Sequence, residues 1–400
     1  ELAGGELEIE AGNEYAFVRT EGDSRRGELT TTYDALVDDL KVDDRVILAD
    51  GTVSLKVAET GTDRVVCHVE QPGLIRSGQG VNLPGAELQL PAMTEKDRSD
   101  LVWAVEQKLD YVGLSFVRKA EDVTTLRGLI DEMEPARRPR VVAKIEKPEA
   151  LADLADILDA TDVAMVARGD LGVEVDIVRL PEIQKRIIRE CSSRSVPVIT
   201  ATQMLDSMER NRMPTRAEAS DVANAVLDGT DAVMLSGETA IGDYPLESVV
   251  MMSRIVREAE KLVRRRDELP IGISSRNTAT RMTRAVALGA LEAATQLEAN
   301  LIVVLTRSGR TAIGVSKLRG QIPILAMTDA AETARWLSVV WGVRAVVTDA
   351  CHEPAELSVE FVVSWGRENG VLEAGDRIVF LGATDWMQPG KNVRVVHTVE

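Results

Sequence analysis

Six polar side chains stand at the ends of four short apolar segments: VVAKIE at 141–146, VAMVARGD at 163–170, VPVITAT at 196–202 and AVMLSGE at 232–238. Lys144, Glu146, Asp170, Thr202, Ser236 and Glu238 supply an ammonium, carboxylates and hydroxyls. Lys144 and Glu146 are two residues apart, so on a strand both point to one face. Glu146 and Asp170, from neighbouring strand ends, make a partial shell for Mg²⁺, which takes one or two protein carboxylates and fills the rest with substrate oxygens and water. Lys144 beside such a metal suits stabilisation of a transferring phosphoryl group or a developing enolate. In RGDLG, glycines flank Asp170, and Gly169 lets backbone N–H groups approach a substrate carboxylate closely. Thr202 and Ser236 are placed to orient a water or relay a proton, with no neighbouring histidine to make either a nucleophile. The competing account is a buried ion-pair network of Lys144, Glu146 and Asp170, which is costly without a task.

These groups meet only if the elements bring the strand ends together. From 92 to 265 helical stretches alternate with YVGLSFV (111–117), VVAKIE, VAMVARGDL, VPVITATQML and AVMLSGETA, a pattern for a parallel sheet covered by helices. In a closed (β/α) barrel all strand C-termini open on one face. Five strands fit part of an eight-stranded barrel, or an open doubly wound sheet. Thr94 reads as an N-cap, and Thr215 with Glu218 has capping-box spacing. Residues 1–91 carry short β-rich runs between Gly, Asp and Asn turns and read as a small all-β unit, with the proline-bearing 80–93 as its exit. A charged segment at 258–270 leads into a final α/β unit, 266–400, with strands LIVVLT, IPILAMT, RAVVTD and DRIVFLG. In LIVVLTRSGRTA the strand runs into Thr306, Ser308, Gly309, Arg310 and Thr311 before a helix, which is either a phosphate cradle or an ordinary capped helix start.

The net charge of −18 argues against nucleic acid and anionic membranes as partners. Cys67, Cys191 and Cys351 are widely spaced without CxxC, which suits a reducing cytoplasm and no zinc. His68, His352 and His397 lack HxxxH spacing, and no apolar run is long enough to span a bilayer. The chain starts at Glu1 rather than at a methionine, so a fragment or a processed product is expected.

AKIEKPEAL, MVARGDLGVEV, ITATQMLDSM, PTRAEASDVANAVLDGTDAVMLSGETAIGDYP, GVNLPG, TEKD and SFVRKAEDV together resemble the pyruvate kinase family, and the likeness extends over the whole chain. It implies a (β/α)₈ TIM barrel whose first three strands lie outside this chain, a small β-barrel lid inserted after the third, and a C-terminal α/β domain. The implied reaction is phosphoryl transfer between phosphoenolpyruvate and ADP, giving pyruvate and ATP. By the same resemblance Lys144 balances charge on the transferring group, Glu146 and Asp170 hold Mg²⁺ or Mn²⁺, and Gly169 and Asp170 hold the substrate carboxylate. Thr202 contacts substrate near its methylene carbon, and Ser236 and Glu238 belong to proton delivery. Residues 306–311 resemble the grip on a sugar-phosphate effector. K⁺, with a site outside this chain, and a homotetramer are also implied. A chain truly beginning at Glu1 is expected to turn over little, and a full-length product to be active. Two alternatives stand beside this reading: a Mg²⁺-dependent pyruvate-enolate lyase or aldolase, which would ignore ADP, and a catalytically silent effector-binding subunit.

Overall fold

The expected strands between 111 and 234 form one parallel sheet: Tyr111–Leu114, Arg140–Ile145, Val163–Ala167, Val198–Ala201 and Ala232–Met234. The computed structural model describes residues 2, 5–19, 27–31, 33, 35–85, 93–263, 278–383 and 392–400. Each strand pairs with the one before it in sequence, in unbroken order. A doubly wound sheet would reverse direction at an internal strand; this order instead walks round an axis, as barrel strands do.

Alternation sorts the side chains. Val141, Ala143 and Ile145 pack with Ala164, Val166 and Val198 against Leu154, Ile157, Ile183 and Ile187 of the covering helices. Val142, Lys144 and Glu146 therefore face the other way. Local chemistry sets the helix limits. Thr94 and Asp97 close a capping box at the start of Glu95–Glu106. Thr215 and Glu218 do the same for Arg216–Asp228, whose end is set by Gly229 at φ 97°, a left-handed position glycine occupies without steric cost.

The N-terminal unit contains a six-stranded sheet in the order 28–29, 14–18, 64–71, 53–60, 45–48 and 81–82, and a two-stranded ribbon of Glu6–Ile9 with Gly73–Arg76. Phe17, Val46, Leu55, Val65 and Cys67 fill its core. Its loop at Gly51 reaches the barrel, where a Cβ on that glycine would lie 3.5 Å from Val173.

The C-terminal sheet runs 343–347, 324–328, 301–305, 377–383, 392–398, parallel except for the last strand. Its order reverses between Leu301–Leu305 and Arg377–Ala383, so Thr306 leaves the sheet at a topological switch point, where open α/β sheets bind ligands. The expected unit limits at 91/92 and 265/266 lie outside the described residues, as do parts of 80–93 and 258–270.

Candidate active site

Strand Arg140–Ile145 carries Lys144 into the open end of the barrel, with Glu146 one residue past the strand. The Lys144 ammonium lies 2.7 Å from Glu146 Oε1 and donates to Ser115 Oγ at 3.0 Å. Glu146 is fully buried, and its Oε2 accepts the Phe116 amide at 2.6 Å. Phe116 reaches that position with φ 53°, a left-handed conformation that L residues rarely adopt. Lys144 and Glu146 Oε1 form a close ion pair, and Oε1 accepts from no other described residue. Burial pushes the Glu146 carboxyl above the usual range; Lys144 and the Phe116 amide offset this in part, and the Asp170 charge adds to it.

Asp170 is where the structure departs from the strand reading. The strand stops at Ala167, and Arg168–Glu174 folds as a helix, with Asp170 in its first turn. The Gly169 amide is already committed: it donates to Thr202 Oγ1 at 2.7 Å, and that hydroxyl donates to the Ala201 carbonyl at 2.6 Å. Lys144, Glu146, Asp170 and Thr202 are thus drawn together by three consecutive strand ends.

The fifth strand end behaves differently. Glu238 is buried, accepting the Ser236 amide at 2.7 Å and the Leu205 amide at 2.9 Å. That carboxylate staples two loops and holds Ser236, whose buried Oγ has no partner among the described residues. A Cβ on Gly237 beside it would displace the Glu209 carboxylate. Two residues had no reading from the sequence: Ser115, which meets the ammonium, and Arg168, a basic residue in RGDLG that is buried.

The cradle at 306–311 is separate from this cluster. Thr306 Oγ1 accepts the Gly309 amide at 2.9 Å, so two of its groups satisfy each other. Gly309, at φ 79°, has Trp336 Nε1 2.7 Å from where a Cβ would stand. Ser308 and Arg310 face solvent, and Thr311 is half-buried in the helix Arg310–Ser316.

Family models match in two stretches, pyruvate kinase barrel domain over residues 2–249 and pyruvate kinase alpha/beta domain over 284–397. The chain belongs to the pyruvate kinase family. It is 42% identical over 378 residues to the pyruvate kinase of Clostridium acetobutylicum, covering 93% of this chain and 78% of that protein. To that of Geobacillus stearothermophilus it is 39% identical over 404 positions, covering 100% and 68%. A solved pyruvate kinase from Cryptosporidium parvum superposes with TM-score 0.88 at 33% identity, covering all of this chain and 81% of that one. The function supported is that of a pyruvate kinase, a phosphotransferase, and the matches favour neither the lyase nor the silent subunit.

Pyruvate kinase membership implies a divalent cation, with phosphoenolpyruvate and ADP as substrates. The site suits such a cation: Glu146 Oε1 is a buried oxygen that meets no described residue but Lys144, and Asp170 is close enough to raise Glu146 by its charge. Among the described residues no group of three or more His, Cys, Asp or Glu is arranged for a metal. No helix of the described residues is long and apolar enough to cross a membrane.

Proposed function

We propose that the open end of the five-stranded sheet transfers a phosphoryl group from phosphoenolpyruvate to ADP. The observation that carries this is the pairing of the Lys144 ammonium with a fully buried carboxylate whose Oε1 accepts from no other described residue. A buried carboxylate so placed is costly unless a cation completes it. Glu146 and Asp170 would hold Mg²⁺ or Mn²⁺, which supplies charge neutralisation of phosphate and enolate oxygens when bound. Lys144 then stands beside the transferring group and offsets its charge. The first turn at Gly169 and Asp170 receives the substrate carboxylate, with the Gly169 amide passing from Thr202 to substrate. Thr202 and Ser236 face the enolate as hydroxyls able to hold or hand over a proton, while Glu238 acts by fixing Ser236.

By the same reading residues 1–91, 92–265 and 266–400 are the lid, barrel and effector units. Ser308 and Arg310, exposed at the switch point of the last sheet, support a sugar-phosphate effector bound across Thr306–Thr311. K⁺ as a second cation, a homotetrameric assembly and a cytoplasmic location complete the proposal on family resemblance.

The test follows pyruvate and ATP together after mixing the protein with phosphoenolpyruvate, ADP and Mg²⁺. Equal yields that vanish without ADP or with chelator are expected. Pyruvate formed without ATP, or phosphoenolpyruvate left untouched by a full-length product, would overturn the assignment.

A further inference from the structure

Thr202 and Gln203 are consecutive non-glycine residues in the left-handed region, at φ 66° and 52°. For a β-branched residue this is a true outlier, and such backbone persists only where the surroundings over-determine it. The surroundings here are dominated by one side chain. Arg168, 5% exposed, donates to the Thr202 carbonyl from Nε at 3.2 Å and from Nη2 at 2.8 Å, and to the Gln203 carbonyl from Nη2 at 3.0 Å. Its Nη2 also lies 2.8 Å from Met204 Sδ, and its Nη1 pairs with Asp221 on the helix Arg216–Asp228.

The geometry of that fork matters. The Thr202 carbonyl lies in the peptide plane between ψ of Thr202 and φ of Gln203, and the Gln203 carbonyl lies in the next plane. Gripping both fixes the planes on either side of Gln203, the first of which is also the plane that follows Thr202. The result is that Thr202 Oγ1 turns back onto the Gly169 amide at 2.7 Å, beside Asp170.

We propose that Arg168 is a positioning residue for phosphoryl transfer: its guanidinium holds the Thr202–Gln203 turn left-handed, so that the Thr202 hydroxyl faces the Gly169–Asp170 turn. This rests on the proposed placement of substrate at that turn. Asp221 sets the guanidinium's direction from the far side. A lysine cannot substitute, because one ammonium has no planar fork to reach two carbonyls and a carboxylate together.

Arg168→Lys, Gln203→Gly and Thr202→Ala, singly and combined, test the proposal. Arg168→Lys should lower kcat by at least about tenfold with a smaller change in KM for phosphoenolpyruvate, the pattern of a misplaced reacting group. Glycine adopts positive φ without steric cost, so Gln203→Gly alone should leave kcat within about twofold and, added to Arg168→Lys, restore at least about threefold. In a Thr202→Ala background Arg168→Lys should cost almost nothing further. Losses that multiply in the double variant, or the absence of glycine rescue, would overturn the proposal, since a merely structural role gives both. A crystal structure of Arg168→Lys decides independently of turnover: φ of Thr202 should become negative, and retention of the left-handed turn would refute the clamp. A full-length wild-type protein without turnover would instead count against the functional reading.

Discussion

The two ends of the five-stranded sheet carry similar charged residues and treat them differently. At the strand N-termini, Asp162 accepts from Arg127 at 2.7 Å, Arg140 at 3.1 Å and the Val141 amide at 2.9 Å. Asp231 accepts from Lys317, from Arg319 at 3.2 Å and from the Val198 amide at 2.8 Å, joining the C-terminal unit to the last strand. At the strand C-termini, Ser236 Oγ is buried without a partner among the described residues, and Phe116, Thr202 and Gln203 hold left-handed backbone. The N-terminal end is satisfied at its carboxylates, although Arg319 Nε and Nη1 there have no partner among the described residues. The C-terminal end also pairs Lys144 with Glu146 but leaves the Ser236 hydroxyl free, at the end where barrels bind substrate.

The largest effect should come at the free end. Lys144→Met should reduce turnover by roughly a thousandfold or more, as loss of a charge-stabilising group in a preorganised site does. Its melting temperature should fall modestly, because Glu146 loses its cationic neighbour, while the protein stays folded at the assay temperature. Circular dichroism melts beside the pyruvate assay check both halves.

Next is the satisfied end. Asp231→Ala strands Lys317 and Arg319 in the interior and should lower unfolding free energy by about 3–5 kcal/mol. Burial pushes the Asp231 carboxyl up, but Lys317 and Arg319 more than reverse this and hold it below the ordinary value. Its stabilising contribution is therefore complete above the ordinary carboxylate pKa and is lost as pH falls through the lowered one. Urea titrations of wild type and variant across that range should converge at low pH.

Glu146 shifts the other way and sharpens the contrast. With a folded-state pKa raised chiefly by burial, it binds its proton more tightly folded than unfolded, so stability falls as pH rises between the ordinary carboxylate value and the raised one. Cation binding needs the carboxylate, so affinity for Mn²⁺ should strengthen across the same window. Glu146→Gln should weaken Mn²⁺ binding by about 10–100-fold and remove that pH step, read by water-proton relaxation. The smallest effect belongs to neither end: Thr215→Ala, which removes a helix cap, should cost about 1 kcal/mol and leave kcat unchanged.

The satisfied end was hard to read in the sequence, and the free end easier. Lys144, Glu146 and Thr202 follow apolar strand runs, and their spacing alone placed them on one face. Thr94 and Thr215 caps were legible because a cap is a local bond. Asp170 was misplaced onto a strand because Arg168, Gly169 and Asp170 read as the polar end of the preceding apolar run, whereas the chain turns helical at Arg168. The Thr202–Gln203 turn carries no glycine to announce positive φ, since Arg168 rather than residue type secures it. Asp231 and Lys317 meet across 86 residues, a pairing no local pattern encodes. The strand Asn392–Thr398, the antiparallel edge of the last sheet, was not read from the sequence.

Turnover per folded molecule, measured for Lys144→Met and Asp231→Ala side by side, tests the division between the two ends most directly. The account predicts almost no pyruvate formation from a fully folded Lys144→Met protein, and near wild-type turnover from the folded fraction of a destabilised Asp231→Ala protein. Sustained turnover in the first, or a catalytic loss in the second without loss of stability, would contradict it.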